Sequence, residues 1–336
     1  MKTLYIVSGI AGMTGSGLLH QLLKDREGRN YIIGFDNFYA SSMNTIADCL
    51  DDPRFEFLEY DLNDRVLMSD VEERVKAVKS RYCEVIYINC AAVVHTEHFY
   101  HVHETFETNV LGMKEFLSQA VRIGAEKYIN CSTSEVYSMH SWKEQGGMKE
   151  SDFLMFANAE HSQRTSYAAG KLLTEFFLKD AVDEGKIRGC SIRFANVYSR
   201  NERFAKHIIP FIIKSLKENG RVTLLENSRK NSRTFLHNYD SCSAVLALAG
   251  TDSALDGSIY NVATDEEIRI TDLVKLCAQL MDISDPVIEF SGFRKSDPQR
   301  RLLSTEKIRT RTGWKPEVDL RQGLIECIEY YGKEIE

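Results

Sequence analysis

The chain has 336 residues, of which 43% are hydrophobic and 27% charged, which is enough apolar material for one large core or one and a half domains. Its formal net charge of −7 argues against nucleic acid as a partner. No apolar run reaches the length of a membrane span, and the first one leads into a glycine turn rather than a cleavage site, so we expect no membrane partner and a cytoplasmic location.

The first predicted element is a strand at Leu4–Val7 that leads into a glycine-rich turn. Gly9, Gly12 and Gly15 are spaced as G-x-x-G-x-x-G, with Met13 between the last two, and leucines at a helical spacing follow. Glycine lets the backbone approach a pyrophosphate, and the start of a helix presents free N–H groups to it. The pattern therefore predicts a dinucleotide-binding turn.

A second predicted strand, Tyr31–Phe35, ends at Asp36 and is followed by Asn37. An acidic residue about twenty positions beyond the glycine turn accepts hydrogen bonds from the adenosine ribose and disfavours a 2′-phosphate. This favours NAD over NADP. The alternative is that Asp36 is only a turn or N-cap residue.

Strands and helices then alternate. The predicted strands are Arg54–Glu59, Val85–Cys90, Tyr128–Cys131 and Gly189–Phe194, and the predicted helices cover about 67–80, 109–123 and the segment around Tyr167. This alternation predicts an α/β fold with a Rossmann-type doubly wound parallel sheet. Cys90 and Cys131 lie in apolar runs and the chain has no C-x-x-C pair, so we expect reduced core thiols rather than disulfides or zinc ligands.

Beyond Phe194 the alternation becomes irregular, with a helix at about 208–218, a basic segment at Arg229–Arg233 and a C-terminal helix that starts near Leu320. We predict a smaller C-terminal α/β substrate domain here. Residues 1–195 are assigned to the nucleotide-binding domain, with a returning segment at about 236–262, and residues 196–336 mainly to the substrate domain.

Four histidines and two glutamates lie close together between residues 95 and 104, which suggests a metal site. The spacing lacks a helical H-x-x-x-H pair, and no second ligand group stands out elsewhere, so we expect a solvated loop and helix start and no metal. The cluster consists of His95, Glu97, His98, His101, His103 and Glu104.

The main chemical pattern is Tyr167-Ala-Ala-Gly-Lys171, which puts a phenol and an ammonium on one helix face. The ammonium lowers the pKa of the phenol, and a hydroxyl such as Thr133 could complete a proton relay to a substrate alcohol. Oxidation of an alcohol by a nicotinamide requires such a relay. By itself, the spacing is also that of an ordinary amphipathic helix face.

In this order, the motifs resemble those of the extended short-chain dehydrogenase/reductases that modify nucleotide sugars, over almost the whole chain. The resemblance implies bound NAD, Thr133, Tyr167 and Lys171 as catalytic residues, and a homodimer paired through the helices near Asn109 and Tyr167. Besides the glycine turn with Met13, the predicted cofactor contacts are Asp36, Asn37, Asp61, Leu62, Ala91, Ala92, Asn109, Tyr167 and Lys171.

The second half carries further motifs of this family. Arg193-Phe-Ala-Asn196-Val-Tyr198 matches its R-x-x-N-x-Y pattern, and Arg233-Thr-Phe-Leu-His237 resembles R-D-F-x-H; Asp297–Arg300 and Gly313–Pro316 resemble its C-terminal segments. The resemblance implies substrate contacts from His95, Asn196, Arg233 and Arg300, and planar guanidinium groups suit a nucleoside diphosphate. Each arginine could instead form a surface ion pair.

Within the family, Ala91–His95 and the Phe204–Pro210 pattern look most like the 4,6-dehydratases of nucleotide hexoses. Thr133-Ser134-Glu135 resembles both GDP-mannose 4,6-dehydratases and UDP-glucuronate decarboxylases. In a dehydratase, NAD oxidises C4 with Tyr167 as base, Glu135 removes the C5 proton, water leaves C6 and hydride returns there. Ser134 replaces the aspartic acid of dTDP-glucose dehydratases and, with Glu135, is a further candidate catalytic residue.

Other functions stay open. A 4-epimerase would stop after C4 oxidation, return hydride to the opposite face and not need Glu135. A decarboxylase would lose carbon dioxide instead of water, and a non-catalytic dinucleotide sensor would only report redox state to a partner. Ser138 replaces a family glycine and Tyr198-Ser-Arg replaces Tyr-Gly-Pro, so the loops over the sugar are expected to differ from those of the family.

Overall fold

The computed structural model describes residues 2–94, 101–137, 147–161, 165–200, 202, 206–294 and 297–333. The strands, in chain order, are β1 (Thr3–Ser8), β2 (Asn30–Phe35), β3 (Phe55–Leu58), β4 (Glu84–Asn89), β5 (Lys127–Thr133), β6 (Arg188–Phe194), β7 (Asn196–Tyr198), β8 (Arg221–Leu224), β9 (Ser232–His237), β10 (Asp256–Val262), β11 (Glu267–Arg269), β12 (Val287–Phe290) and β13 (Arg300–Arg301). The helices are α1 (Met13–Leu23), α2 (Arg65–Val78), α3 (Val102–Phe106), α4 (Met113–Ile123), α5 (Thr165–Asp183), α6 (Ile208–Asn219), α7 (Asn238–Ala249), α8 (Ile270–Leu280), α9 (Glu306–Thr312) and α10 (Leu320–Lys333).

Seven strands form one sheet in the order β10, β6, β5, β4, β1, β2, β3, and each neighbouring pair is parallel. Every residue of β4 and β5 is buried, as expected for strands that are covered by helices on both faces. The predicted Rossmann-type doubly wound sheet is confirmed.

Helices cover both faces of this sheet. One core contains Leu18 of α1 together with Val245 and Leu248 of α7. The other contains Val71 of α2 and Phe116 of α4, and α5 also packs there. The chain thus returns to the large sheet through α7 and β10 after the second region has begun. The exact domain boundaries stay a prediction.

The second region is a smaller α/β unit, as predicted. β9 pairs with β7, β11 and β13, while β8 pairs with β12. Apolar residues from α6, α8 and α10 form a separate core against these strands. None of the helices within the described ranges is long and apolar enough to cross a membrane.

The helical region before β5 starts earlier than residue 109. It begins with α3 and passes through a π-helical turn at Glu107–Gly112 into α4. A π-helical turn adds a residue to one turn and so rotates the buried face of the helix. The 3.6-residue periodicity of α4 therefore does not continue into α3, and the sequence pattern does not reveal α3. His101 and His103 are exposed at the start of this region, while His95 and His98 lie outside the described residues.

A buried ion pair ties α5 to the sheet. Both oxygens of Glu175 accept hydrogen bonds from Arg193 on β6, at 2.9 and 2.6 Å, and both side chains are at most 3% exposed. Glu175 Oε1 also accepts the hydroxyl of Ser132 on β5 at 2.6 Å. Arg193 further donates to Tyr137 Oη at 2.6 Å, and Tyr137 donates to Asn261 on β10 at 3.0 Å. The network connects three strands and one helix.

Removing one partner of this pair should be costly. We expect Arg193→Met to lower the free energy of unfolding in urea by about 3 to 5 kcal/mol, because it leaves the Glu175 carboxylate buried without a cation. The double variant Arg193→Met, Glu175→Leu should regain most of that loss. Lys186→Met, which breaks the exposed pair with Glu184, is the control and should change little. A single variant as stable as this control would contradict the prediction.

Candidate active site

A cavity of about 890 Å³ lies between the two regions. Residues at or just beyond the carboxyl ends of β1, β2, β4, β5 and β6 line one side, and residues of β7, β9 and β13 line the other. The sheet order reverses between β1 and β4, and ligands of open parallel sheets bind at such a switch point. The cavity is therefore the candidate active site.

The glycine turn forms the cavity wall beside β1, with Met13 opening α1. Gly9 has a φ of +68°, and a Cβ there would come within 2.7 Å of the Ala91 backbone nitrogen. A Cβ at Gly15 would lie 2.1 Å from the Gly9 carbonyl oxygen. Only glycine permits these approaches, so the backbone leaves room for a pyrophosphate at the start of α1.

Four predicted cofactor contacts line the cavity beside β2: Asp36, Asn37, Asp61 and Leu62. Asp36 accepts hydrogen bonds from the Ala11 backbone N–H at 3.0 Å and from the Ser41 hydroxyl at 2.7 Å. Asn37 donates to the Asp61 carboxylate at 2.9 Å. Asp36 thus organises the turn and also faces the cavity, so the two interpretations of this residue are compatible.

The loop after β4 presents Ala91 and Ala92 to the cavity. Asn109 does not line the cavity. Its side-chain amide accepts the Val93 N–H at 2.7 Å and donates to the Val93 carbonyl at 3.1 Å. Asn109 therefore holds the loop that carries the two alanines, a positioning role rather than a direct contact.

Thr133, Tyr167 and Lys171 meet in the cavity, although about thirty residues separate the threonine from the helix. Thr133 ends β5, and Tyr167 lies in the first turn of α5 with Lys171 one turn later. Lys171 Nζ donates to the Cys131 carbonyl at 2.9 Å. Burial lowers the pKa of Lys171 to about 8. An ammonium one helical turn from Tyr167 favours the ionised form of that phenol.

Glu135 lines the same cavity as Thr133, Tyr167 and Lys171. Its carboxylate accepts a hydrogen bond from Arg301 Nη1 at 2.8 Å, and both side chains are buried. Within the described residues, Nε and Nη2 of Arg301 have no hydrogen-bond partner. Ser134 is buried but does not line the cavity.

The predicted substrate contacts divide into two groups. Asn196 and Arg233 line the cavity; Asn196 donates to the Thr234 carbonyl at 3.0 Å, and Arg233 pairs with Asp297 at 3.2 Å. Arg300 does not line it, because its guanidinium bonds both oxygens of Glu267 at 2.8 and 2.9 Å. Arg300 therefore forms an ion pair, which was the alternative to a substrate contact. His95 lies outside the described residues.

Arg301 is the functional candidate that sequence reasoning missed. Neighbouring residues of a strand point to opposite faces, so within β13 only one of Arg300 and Arg301 can face the cavity. Pairing of β13 with β9 sets Arg301 opposite Arg233, which also lines the cavity. The sequence shows that Arg300 and Arg301 are neighbours and must point to opposite faces of a strand. Which of the two faces the cavity depends on how β13 pairs with β9.

A fold and site of this kind define a dinucleotide-dependent enzyme. Residues 5–263 match the model of the NAD dependent epimerase/dehydratase family, and the chain belongs to that family, with NAD as its cofactor. The resemblance to extended short-chain dehydrogenase/reductases is confirmed.

Individual proteins match nearly the full chain. The dTDP-D-glucose 4,6-dehydratase of Homo sapiens is 27% identical over 97% of this chain and 89% of its own length. UDP-glucuronic acid decarboxylase 1 of Arabidopsis thaliana is 25% identical over 98% of this chain and 70% of its own. The crystal structure of DesIV, a dTDP-glucose 4,6-dehydratase from Streptomyces venezuelae with NAD and TYD bound, covers 98% of this chain and 97% of its own with a TM-score of 0.84 at 23% identity.

The lowered pKa of Lys171 predicts a pH-dependent stability. The folded state releases this proton near pH 8, whereas the unfolded chain keeps it up to its ordinary value of 10.5. The unfolded state therefore binds more protons between these values, and this contribution to the free energy of unfolding rises with pH across the window. In ligand-free protein, we expect the wild type to gain about 3 kcal/mol relative to Lys171→Met between pH 8 and 10.5. Urea unfolding of both proteins at several pH values gives the difference; a difference that is flat with pH would contradict the shift.

Proposed function

We propose that this protein is a nucleotide-hexose 4,6-dehydratase. The observation that carries the proposal is the position of Glu135, whose carboxylate lines the same cavity as Thr133, Tyr167 and Lys171. Oxidation of C4 needs only the last three residues. A buried carboxylate beside them supplies the additional base that an elimination across C5 and C6 requires.

The proposed mechanism assigns one proton-handling role to each residue. Tyr167, kept ionised by the Lys171 ammonium, takes the proton of the C4 hydroxyl, which Thr133 orients. Bound NAD supplies reversible hydride transfer. The resulting 4-ketone acidifies C5, and Glu135 removes the C5 proton and gives it to the C6 hydroxyl, which leaves as water. After reduction at C6, a solvent proton adds to C5, and Tyr167 gives up the proton that it took from the C4 hydroxyl. Arg301 donates a hydrogen bond to Glu135 and fixes the direction of its carboxylate.

Substrate is held from the second region in this proposal. Arg233 and Asn196 lie on the side of the cavity that faces the redox residues, and a planar guanidinium fits a diphosphate through two parallel hydrogen bonds. Arg301 has the same chemistry but lies against Glu135. We therefore assign the diphosphate to Arg233 and the reacting end of the sugar to Glu135 and Arg301.

A decarboxylase acting on a nucleotide uronic acid is the second candidate, and Arg301 is the observation that favours it. Two of its guanidinium nitrogens are buried without a partner among the described residues. A buried unpaired donor is costly, and a carboxylate at C6 of the sugar would satisfy both nitrogens. Loss of carbon dioxide from a 4-keto acid then needs no base at C5.

One screen separates these reactions. Purified protein is incubated with nucleotide hexoses and nucleotide uronic acids in D₂O, and the products are analysed by mass spectrometry. Loss of water with deuterium at C5 supports the dehydratase, loss of carbon dioxide supports the decarboxylase, and unchanged mass without deuterium indicates an epimerase. If no nucleotide sugar changes, a non-catalytic sensor becomes the better description.

Glu135→Gln is the sharper test of the dehydratase. The amide keeps the acceptor for Arg301 but cannot take a proton, so C4 oxidation proceeds while elimination stalls. We expect enzyme-bound NADH to accumulate, seen by its absorbance, and turnover to fall at least about a hundredfold. Glu329→Gln, on the exposed face of α10, is the matched control and should behave as wild type. Wild-type turnover by Glu135→Gln would rule out Glu135 as the base.

We also propose a homodimer formed through α3, the π-helical turn at Glu107–Gly112 and α5. Large apolar side chains are exposed on these neighbouring helices, which a protein surface rarely tolerates unless a partner covers them. The same face of a second copy would complete a two-fold symmetric helix bundle. The exposed residues are Val102, Phe106, Leu111, Leu173 and Phe176.

A charge on this surface should separate the subunits. Phe176 is 63% exposed on α5, so Phe176→Glu should leave the fold intact while placing a carboxylate in the buried interface. We expect wild-type protein to sediment as a dimer at micromolar concentration and the variant as a monomer. Phe293→Glu changes an equally exposed phenylalanine, 71%, away from these helices and should remain dimeric. A monomeric wild type would contradict the proposal.

The cysteines support a cytoplasmic location for the protein. All eight are free thiols in the structure, and seven of them are buried or half-buried among apolar side chains of the cores. Unpaired cysteines in this number are typical of a reducing compartment. We therefore propose that the enzyme works in the cytoplasm.

A further inference from the structure

Two thiols lie side by side on the floor of the cofactor cavity. Cys131 is part of β5, and Cys90 directly follows β4, one residue beyond the paired positions Asn89 and Asn130. The two cysteines thus face each other across neighbouring parallel strands. Their sulfur atoms are 3.8 Å apart, and both residues line the cavity.

We propose that Cys90 and Cys131 form an oxidisable dithiol, and that its conversion to a disulfide by a small two-electron oxidant weakens the binding of NAD. The inference concerns the cofactor site and is independent of the sugar reaction. Each thiol gives up one hydrogen and a sulfur–sulfur bond forms. The two protons and two electrons pass to the oxidant, for which the N=N bond of diamide serves as the probe.

The backbone geometry permits this bond. Neighbouring strands lie about 4.8 Å apart, which is within the range of about 4.4 to 6.8 Å that separates the Cα atoms of a disulfide. The sulfur atoms must move from 3.8 Å to about 2.05 Å, a shift that side-chain rotation and a small strand movement can supply. Neither strand has to change its register.

A small reagent can approach the pair from the cavity, which both residues line. The other six cysteines do not line it, and of these Cys83 alone is exposed. A hydrogen bond with Cys131 and burial raise the pKa of the Cys90 thiol well above its usual range. The pair is therefore not highly nucleophilic, and its oxidation should need excess reagent rather than trace peroxide.

A disulfide here would act on both halves of the cofactor site. The backbone N–H of Cys90 donates a hydrogen bond to the Ser8 carbonyl at 3.1 Å. The next residue, Ala91, lies so close to Gly9 that a Cβ at Gly9 would not fit. Cys131 provides the carbonyl that binds Lys171 Nζ. A disulfide that draws the ends of β4 and β5 together would therefore move both the glycine turn and Lys171. Bound NAD, in turn, would cover the thiols.

The test uses full-length protein with Cys83→Ser, which removes the exposed thiol. After treatment with excess diamide and removal of the reagent, we expect intact mass spectrometry to show the loss of two hydrogens, and peptide mapping to join Cys90 to Cys131. Isothermal titration calorimetry should then give an NAD affinity lower by about tenfold or more, restored by dithiothreitol. Saturating NAD before treatment should slow the oxidation.

A second variant separates the disulfide from other damage. Cys83→Ser combined with Cys90→Ser cannot form the bond, so diamide should leave its own NAD affinity unchanged. Two free thiols at Cys90 and Cys131 after exhaustive treatment would overturn the proposal. So would a mapped Cys90–Cys131 disulfide with unaltered NAD affinity. Neither readout uses a sugar, so a wrong assignment of the reaction would not affect the result.

Discussion

The buried pair of Glu175 and Arg193 fixes the helix that carries Tyr167 and Lys171, two of the candidate catalytic residues. Glu175 lies one helical turn beyond Lys171 on α5, so holding the carboxylate against β6 and against Ser132 of β5 also sets the depth of the lysine. Lys171 then reaches the Cys131 carbonyl, one residue before Ser132. A charged network buried this far is expensive unless every member is paired. Here the pairing holds α5 in one position relative to β5, the strand that bears Thr133.

The two sides of the cavity use different physical means. On the cofactor side the walls are glycines, alanines and short polar residues, so the backbone itself comes close to the ligand. On the substrate side the walls carry guanidinium groups that are already paired, Arg233 with Asp297 and Arg301 with Glu135. Each of these two pairs adds no net charge to the substrate side of the cavity. They also fix each arginine in a direction that a diphosphate or a carboxylate can use without a large rearrangement.

Local patterns allowed the cofactor half to be predicted from the sequence. The glycine spacing, Asp36 at a strand end and the four-residue interval from Tyr167 to Lys171 are all properties of single elements. Features that depend on pairing between distant segments could not be predicted. Arg301 faces the cavity in place of Arg300 because β13 joins β9 in one particular register. For the same reason, Cys90 and Cys131 could be expected in the core but not opposite each other.

Ser134 and Glu135 together constrain how the proposed elimination handles its protons. Ser134 is buried and does not line the cavity, so no acid stands there to protonate the leaving hydroxyl. Glu135 can do both tasks in turn: it takes the proton from C5 and, as a carboxylic acid, gives it to the C6 oxygen. Water then departs with the proton that C5 lost, and the carboxylate is again ionised opposite Arg301. The Glu135–Arg301 ion pair is therefore present at the start and at the end of each cycle. Glu135 is a neutral acid only between taking the proton from C5 and giving it to the C6 oxygen.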